Sequence, residues 1–182
     1  MGSTLFQKGG PNPVKFKVLT PMSELGRDQL LMLDDAALVR CCRVDRRLGT
    51  GPGGQKRNKT ATAVLVTHVA SGYNGAADDT RSQHQNLHLA LRRLRLSLAG
   101  QWRQPPPASA LGPAPGGRAP ERWLWLARLF DILEAHGWAL ADSAAATGLN
   151  TARLVKELAA EPQLWQRAND ARRRHGLPVL KC

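Results

Sequence analysis

The chain has 182 residues, 42% of them hydrophobic, and a formal net charge of +12 from 26 Lys and Arg against 14 Asp and Glu. That length holds one ordinary domain or two small ones, and no apolar run approaches the roughly 18 residues of a spanning helix. The charge points to phosphate-rich partners, nucleic acid before an anionic membrane, since neither a basic amphipathic helix nor a lipid anchor is evident.

Residues 1–33 carry Gly9-Gly10-Pro11-Asn12-Pro13 and few patterned apolar positions, which predicts a flexible N-terminal arm with a short structured approach. Met1 to Thr20 has no long apolar region before a small-residue cleavage site, so a cytoplasmic protein is expected. Asp34 and Asp35 are placed to cap a short helix through about Arg40, and Cys42 to Arg46 alternates loosely enough for a strand. Gly49, Gly51, Gly53 and Gly54 around Pro52 then exclude helix and regular strand alike and predict a loop of bare backbone. Residues 61–68 are rich in β-branched side chains and read as a strand, Ser71-Gly72 as a turn, and residues 73–79 as a second hairpin arm of poor intrinsic propensity.

Ser82 is expected to cap a long helix to about Ala99, with Leu87, Leu91, Leu94 and Leu98 on one stripe and His84, His88, Arg92 and Arg95 on another. Residues 101–120 hold half of the twelve prolines and predict an unpacked, semi-extended Pro/Gly/Ala linker. Beyond it, helices are expected over Glu121 to His136, Ala139 to Thr147, Thr151 to Ala160 and Pro162 to about His175. Gly137, Gly148 and Gly176 stop three of them. Trp123, Trp125, Trp138 and Trp165 are expected to be buried together. The implied class is α+β: a sheet or hairpin packed on a long helix over residues 34–100, then the linker 101–120 and an all-α part over 121–182.

Three cysteines, two of them adjacent at Cys41 and Cys42, suit a reducing compartment and small core positions. No His/Cys spacing suits zinc, and no metal or other cofactor is expected. His68 ends a strand and His84 opens a helix, so packing or RNA contact is the better reading of both.

The glycine loop has a physical logic of its own. Glycines let a backbone enter a narrow cavity and take conformations closed to other residues. A preorganised backbone N–H aimed at a developing oxyanion supplies about 2.7–4 kcal/mol. A neutral glutamine can orient water without competing as a nucleophile.

The loop lies in a longer run: Gly51-Pro52-Gly53-Gly54-Gln55, Asn58-Lys59-Thr60, a strand ending at His68, the Gly72 turn, then Arg81-Ser82-Gln83-His84 and Asn86 opening the leucine-striped helix. This run, from about Asp34 to Leu98, resembles the GGQ-containing catalytic domain of class I bacterial peptide chain release factors and their codon-independent ribosome-rescue relatives. The resemblance implies a peptidyl-tRNA hydrolase acting on the ribosome. Gly53 and Gly54 would shape the backbone, and Gln55 would offer its backbone N–H while its side chain limits access to water. It implies large-subunit ribosomal RNA and peptidyl-tRNA as partners, and a methyltransferase modifying the Gln55 side chain. Lys56, Arg57, Asn58 and Lys59 would bind RNA, together with Arg46, Arg47, Arg81, Arg92, Arg172, Arg173 and Arg174. A monomer away from membranes is expected.

Two positions depart from the family pattern. Arg57 stands where many relatives have Val, and Ala70-Ser71-Gly72 where they have Pro-Thr-Gly. Ordinary release factors also carry a stop-codon-reading domain and a large helical N-terminal part, for which few residues precede Asp34, so rescue without codon reading is the expected role. The C-terminal part is either a folded docking module using Arg153, Lys156 and Arg172 to Arg174, the favoured reading, or a channel probe over Arg167 to Lys181. Two other functions remain open at this point: a catalytically silent ribosome-binding factor, and a helix-turn-helix DNA-binding regulator using residues 139–160.

Overall fold

The computed structural model describes residues 25–48 and 62–181, so the expectations for residues 1–24 and for Gly53 to Lys59 lie outside the described residues. In chain order the elements are α1 (Arg27–Met32), α2 (Asp35–Arg40), β1 (Cys42–Arg47), β2 (Ala63–His68), β3 (Asn74–Ala77), α3 (Gln83–Gln101), α4 (Glu121–Ala135), α5 (Leu140–Thr147), α6 (Thr151–Ala159) and α7 (Pro162–Arg174). This is the α+β class that the sequence implied. No helix among the described residues is long and apolar enough to cross a membrane.

The sheet is antiparallel with order β1-β2-β3, and α3 covers one face. Val64, Val66 and His68 of the central strand alternate inward and are all but inaccessible, as the period of two requires. The third strand has an unlikely sequence, Asn-Gly-Ala-Ala, and a clear reason for it. A Cβ on Gly75 would lie 2.2 Å from the Ala90 carbonyl oxygen and 2.3 Å from the Leu94 nitrogen, so the helix backbone rests directly on the strand. Small residues at β3 set the closeness of that contact. The expected caps hold: Asp34 accepts from the Ala37 amide at 2.7 Å and Ser82 from the Gln85 amide at 3.3 Å.

Two expectations are corrected. The stretch 25–33 is no free arm: it holds α1, whose Leu30 and Leu31 enter the core and whose Arg27 is 1% exposed. Arg27 Nη1 donates to Asp131 Oδ1 of α4 at 2.8 Å and to the Trp102 carbonyl at 2.8 Å. Asp131 Oδ2 lies 2.7 Å from Arg27 Nη2, an ionic contact at an angle short of a hydrogen bond. Burial works against the Arg27 charge, but the Asp131 and Asp28 carboxylates outweigh it and raise its pKa. Sequence pattern missed α1 because six residues with three consecutive apolar positions give no measurable period.

Residues 102–120 have no helix or strand, as their prolines dictate, yet they pack. Trp102 stacks on Tyr73 with ring centroids 5.8 Å apart, the Gln104 amide donates to Asp131 at 3.0 Å, and the Trp125 indole donates to the Gly112 carbonyl at 3.4 Å. Leu111 and Ala114 lie against the core. Proline forbids regular structure, not burial, provided polar groups find partners elsewhere.

One hydrophobic core runs from the sheet through α3 into α4–α7. Of the tryptophans expected to be buried together, Trp125 and Trp138 are buried, whereas Trp123 and Trp165 are only partly so. Trp138 is held with φ +64°, a rare conformation for a bulky residue. Phe130 packs edge-on to its ring, Glu134 accepts from its indole at 3.0 Å, and the buried Arg172 donates to its carbonyl. Gly148 adopts φ +73° between α5 and α6, and Asn150 caps α6.

Candidate functional site

The strands β1 and β2 pair from Cys42↔His68 to Arg47↔Ala63. The chain carrying Gly53, Gly54 and Gln55 therefore leaves and re-enters the sheet at one paired position. The last described residue before the loop is Leu48 and the first after it is Thr62.

Thr62 is fixed by Asn86. This side chain is fully buried in the first turn of α3, and all its hydrogen-bonding capacity is used. Nδ2 donates to the Thr62 carbonyl at 2.8 Å and to the Thr80 carbonyl at 2.9 Å. Oδ1 accepts from the Thr80 amide at 3.0 Å and the Thr80 hydroxyl at 3.1 Å. An amide is the one uncharged side chain of this size with two donors and a two-lone-pair acceptor. Asn86 thus ties the end of the loop to the turn before α3. At the far end of β2, His68 is buried with Nδ1 2.7 Å from the Ser71 hydroxyl, and burial lowers its pKa, so it is a neutral packing residue as the sequence reading preferred.

The predicted RNA-binding arginines fall into separate groups. Arg46 and Arg47 are both exposed at the loop end of β1, and as neighbours on a strand they point to opposite faces. Arg81 is exposed just before α3. Arg92 is half-exposed but engaged: Nη2 donates to both Glu161 oxygens, at 2.9 and 2.7 Å, and the guanidinium lies 5.9 Å from the Trp123 ring centre. Arg172 is a correction. It is 7% exposed and donates to the Pro178 and Trp138 carbonyls, which makes it a strut of the helical part and removes it from any outer surface. Arg173 and Arg174 are exposed, Arg173 with Asp170 at 3.1 Å. The channel-probe reading of Arg167 to Lys181 also fails. This stretch is helical to Arg174, and the buried Leu180 donates its amide to Asn169 at 2.7 Å.

A second polar chain lies on another side of α3. His88 Nδ1 is 2.7 Å from Asp35 Oδ2, and Arg95 Nη1 donates to Asp35 Oδ1 at 2.6 Å. His88 Nε2 is 3.3 Å from His84 Nε2, so one imidazole donates and the other accepts. Burial would raise the Asp35 carboxyl, but the bonds from His88 and Arg95 outweigh it and hold it below the usual carboxylate range. Sequence reading gave Asp35 only a capping role. Its pairing across 53 and 60 residues leaves no local signature.

Residues 40–109 match the family model described as RF-1 domain. The chain carries an RF-1 domain. The match takes in β1, the glycine loop, β2, β3 and α3 together. Within this stretch the chain is 44% identical over 62 residues to peptide chain release factor 1 of Desulforudis audaxviator, which is 34% of this chain and 18% of that protein. It is 48% identical over 59 residues to peptide chain release factor 1 of Syntrophobacter fumaroxidans, 32% of this chain and 17% of the relative. The homologous factor of Ehrlichia canis is 45% identical over 56 residues, 31% and 16% of the two chains. The chain thus spans less than a fifth of the length of these curated relatives. No solved structure matches it. Asn86 and Thr62 lie inside the matched domain, whereas the partners that hold it from outside, Arg27, Asp35, Asp131 and Glu161, do not.

Proposed function

We propose that this chain hydrolyses the ester joining peptide to tRNA on the ribosome, without reading a codon. One observation carries the reading: the RF-1 match runs unbroken through Gly51-Pro52-Gly53-Gly54-Gln55 and both strands that flank it. In this reading the loop enters the peptidyl transferase centre of the large subunit. Gly53 and Gly54 permit the backbone path, and the Gln55 backbone N–H meets the oxyanion while its side chain admits one water. Lys56, Arg57, Asn58 and Lys59 contact ribosomal RNA, as do Arg46, Arg47 and Arg81 at the base of the loop. A methyltransferase acting on Gln55 and a cytoplasmic site of action belong to the same proposal.

Independence from a codon is supported by α4–α7. This helical part is joined to α1 by a buried ion pair and to α3 by a half-exposed one and a shared core, so it presents the RF-1 domain at a fixed distance from whatever it grips. A rearrangement triggered by codon contact is not needed to deliver the loop. Arg153, Lys156, Arg173 and Arg174 are exposed cations available for that grip.

The test is release of labelled peptide from ribosomes stalled on truncated, sense and stop-codon messages. The wild-type chain should release peptide with no preference for the stop codon. Gln55→Ala keeps the backbone N–H but loses the side chain that positions the water, and should slow release at least about tenfold. Ribosome binding with no release from any message, unchanged by Gln55→Ala, would instead favour a silent binding factor.

A further inference from the structure

A cavity of about 300 Å³ opens where the end of α1, the start of α2, the middle of α3, the proline-rich segment and the start of α4 meet. Its walls combine guanidinium groups of Arg92, Arg95 and Arg118 with the Trp123 indole, the His88 imidazole and the Asp35 carboxylate. The volume sits at the lower end of ligand pockets, which suits one nucleotide and excludes a helix of nucleic acid.

The guanidiniums differ in what they can still bind. Arg95 is 93% buried on its side chain; Nη1 and Nη2 are taken by Asp35 and the Leu33 carbonyl, but its Nε is inaccessible and has no hydrogen-bond partner. Arg95 therefore lends the wall positive charge and offers no open donor. Arg118 stands exposed at the rim with no partner among the described residues. Trp123 is half-buried, with one side toward Arg92. An indole wall beside one free guanidinium is the chemistry that stacks a base and holds its phosphate. The carboxylates in the lining disfavour a bare anion and suit a base that brings donors of its own.

We propose that this cavity takes a single unstacked nucleotide of RNA, its base against Trp123 and its phosphate on Arg118 at the rim. The position makes sense for a chain that docks a loop on RNA. His88 follows Asn86 by two residues, about 200° round the helix, so the first turns of α3 hold the loop end on one side and this cavity on the other. The assignment to RNA rests on the release reading, while the test reads binding alone, so the two can fail separately.

The experiment uses the full chain and isothermal titration with 5′-AMP and with inorganic phosphate, followed by displacement of AMP with single-stranded hexa-adenylate. AMP should bind at least about tenfold tighter than phosphate, a stacking contribution of ordinary size. Hexa-adenylate should displace it. Arg118→Ala should weaken AMP binding about tenfold, and Trp123→Leu should erase the preference for AMP over phosphate. Arg118 is exposed on a segment without regular structure, so its variant remains informative if the Trp123 variant folds poorly. Equal affinity for AMP and phosphate, or an Arg118→Ala chain that binds AMP like wild type, would overturn the site. AMP that stays bound against saturating hexa-adenylate would overturn the assignment to RNA.

Discussion

Replacing Asn86 with Ala tests whether the loop end is held by one side chain. The substitution removes four hydrogen bonds at a fully buried position. The Thr80 hydroxyl keeps its bond to the Ser82 carbonyl, so three main-chain groups are orphaned: the Thr62 carbonyl, the Thr80 carbonyl and the Thr80 amide. At about 1 kcal/mol each, with water reaching some of them, the loss should be about 2–4 kcal/mol. With a urea slope of roughly 2 kcal/mol/M, the midpoint should fall by about 1–2 M. Peptide release by the folded fraction should fall further than stability accounts for, through kcat more than KM, because Thr62 no longer fixes where the loop returns to the sheet. A midpoint within about 0.3 M of wild type, or release rates that simply track the folded fraction, would refute the tether.

The Arg27–Asp131 pair makes a second test. Asp131→Ala leaves the buried Arg27 with Asp28 as its one carboxylate and should cost about 3–5 kcal/mol, whereas Arg27→Met with Asp131→Leu should recover most of it, as read by urea denaturation. Full stability in the single variant would show that the pair does not join α1 to α4. His68 makes a third. Its folded-state pKa is lowered by burial, beneath an unfolded value of about 6.5, so its contribution is complete above that pH and is lost as pH falls through the folded value. The urea midpoint should therefore drop between pH 7 and pH 5, and His68→Gln should flatten that part of the curve; an unchanged slope would remove His68 as the cause.

Much of this structure was legible in the sequence where signals are local. The Asp34 and Ser82 caps, the glycine stops at Gly137, Gly148 and Gly176, and the leucine stripe of α3 each depend on residues within a few positions of one another, and each element lies where expected. The weak strand at residues 73–79 was placed by its turn. Its composition became intelligible only with the helix on top of Gly75, because close approach of two backbones is a property of the pair. What could not be read was long-range polarity. Arg172 sits in a run of three arginines that looks like a surface patch, yet it is turned inward to cap carbonyls. Arg27 looked like part of an arm, and its partner is 104 residues away. The proline segment looked unpackable because composition reports on regularity and says little about burial.

The 19 residues of α3 make one continuous rod about 28 Å long. Its first turn grips the strand that returns from the glycine loop, and its last turns lie in the core shared with α4 and α7. Any surface that captures the helical part therefore dictates both the reach and the heading of the loop. Inserting a single alanine in the middle of that rod would advance the far end by about 1.5 Å and swing it through about 100°. The strands that flank the loop would then be turned relative to the helical part while every residue in them stayed intact.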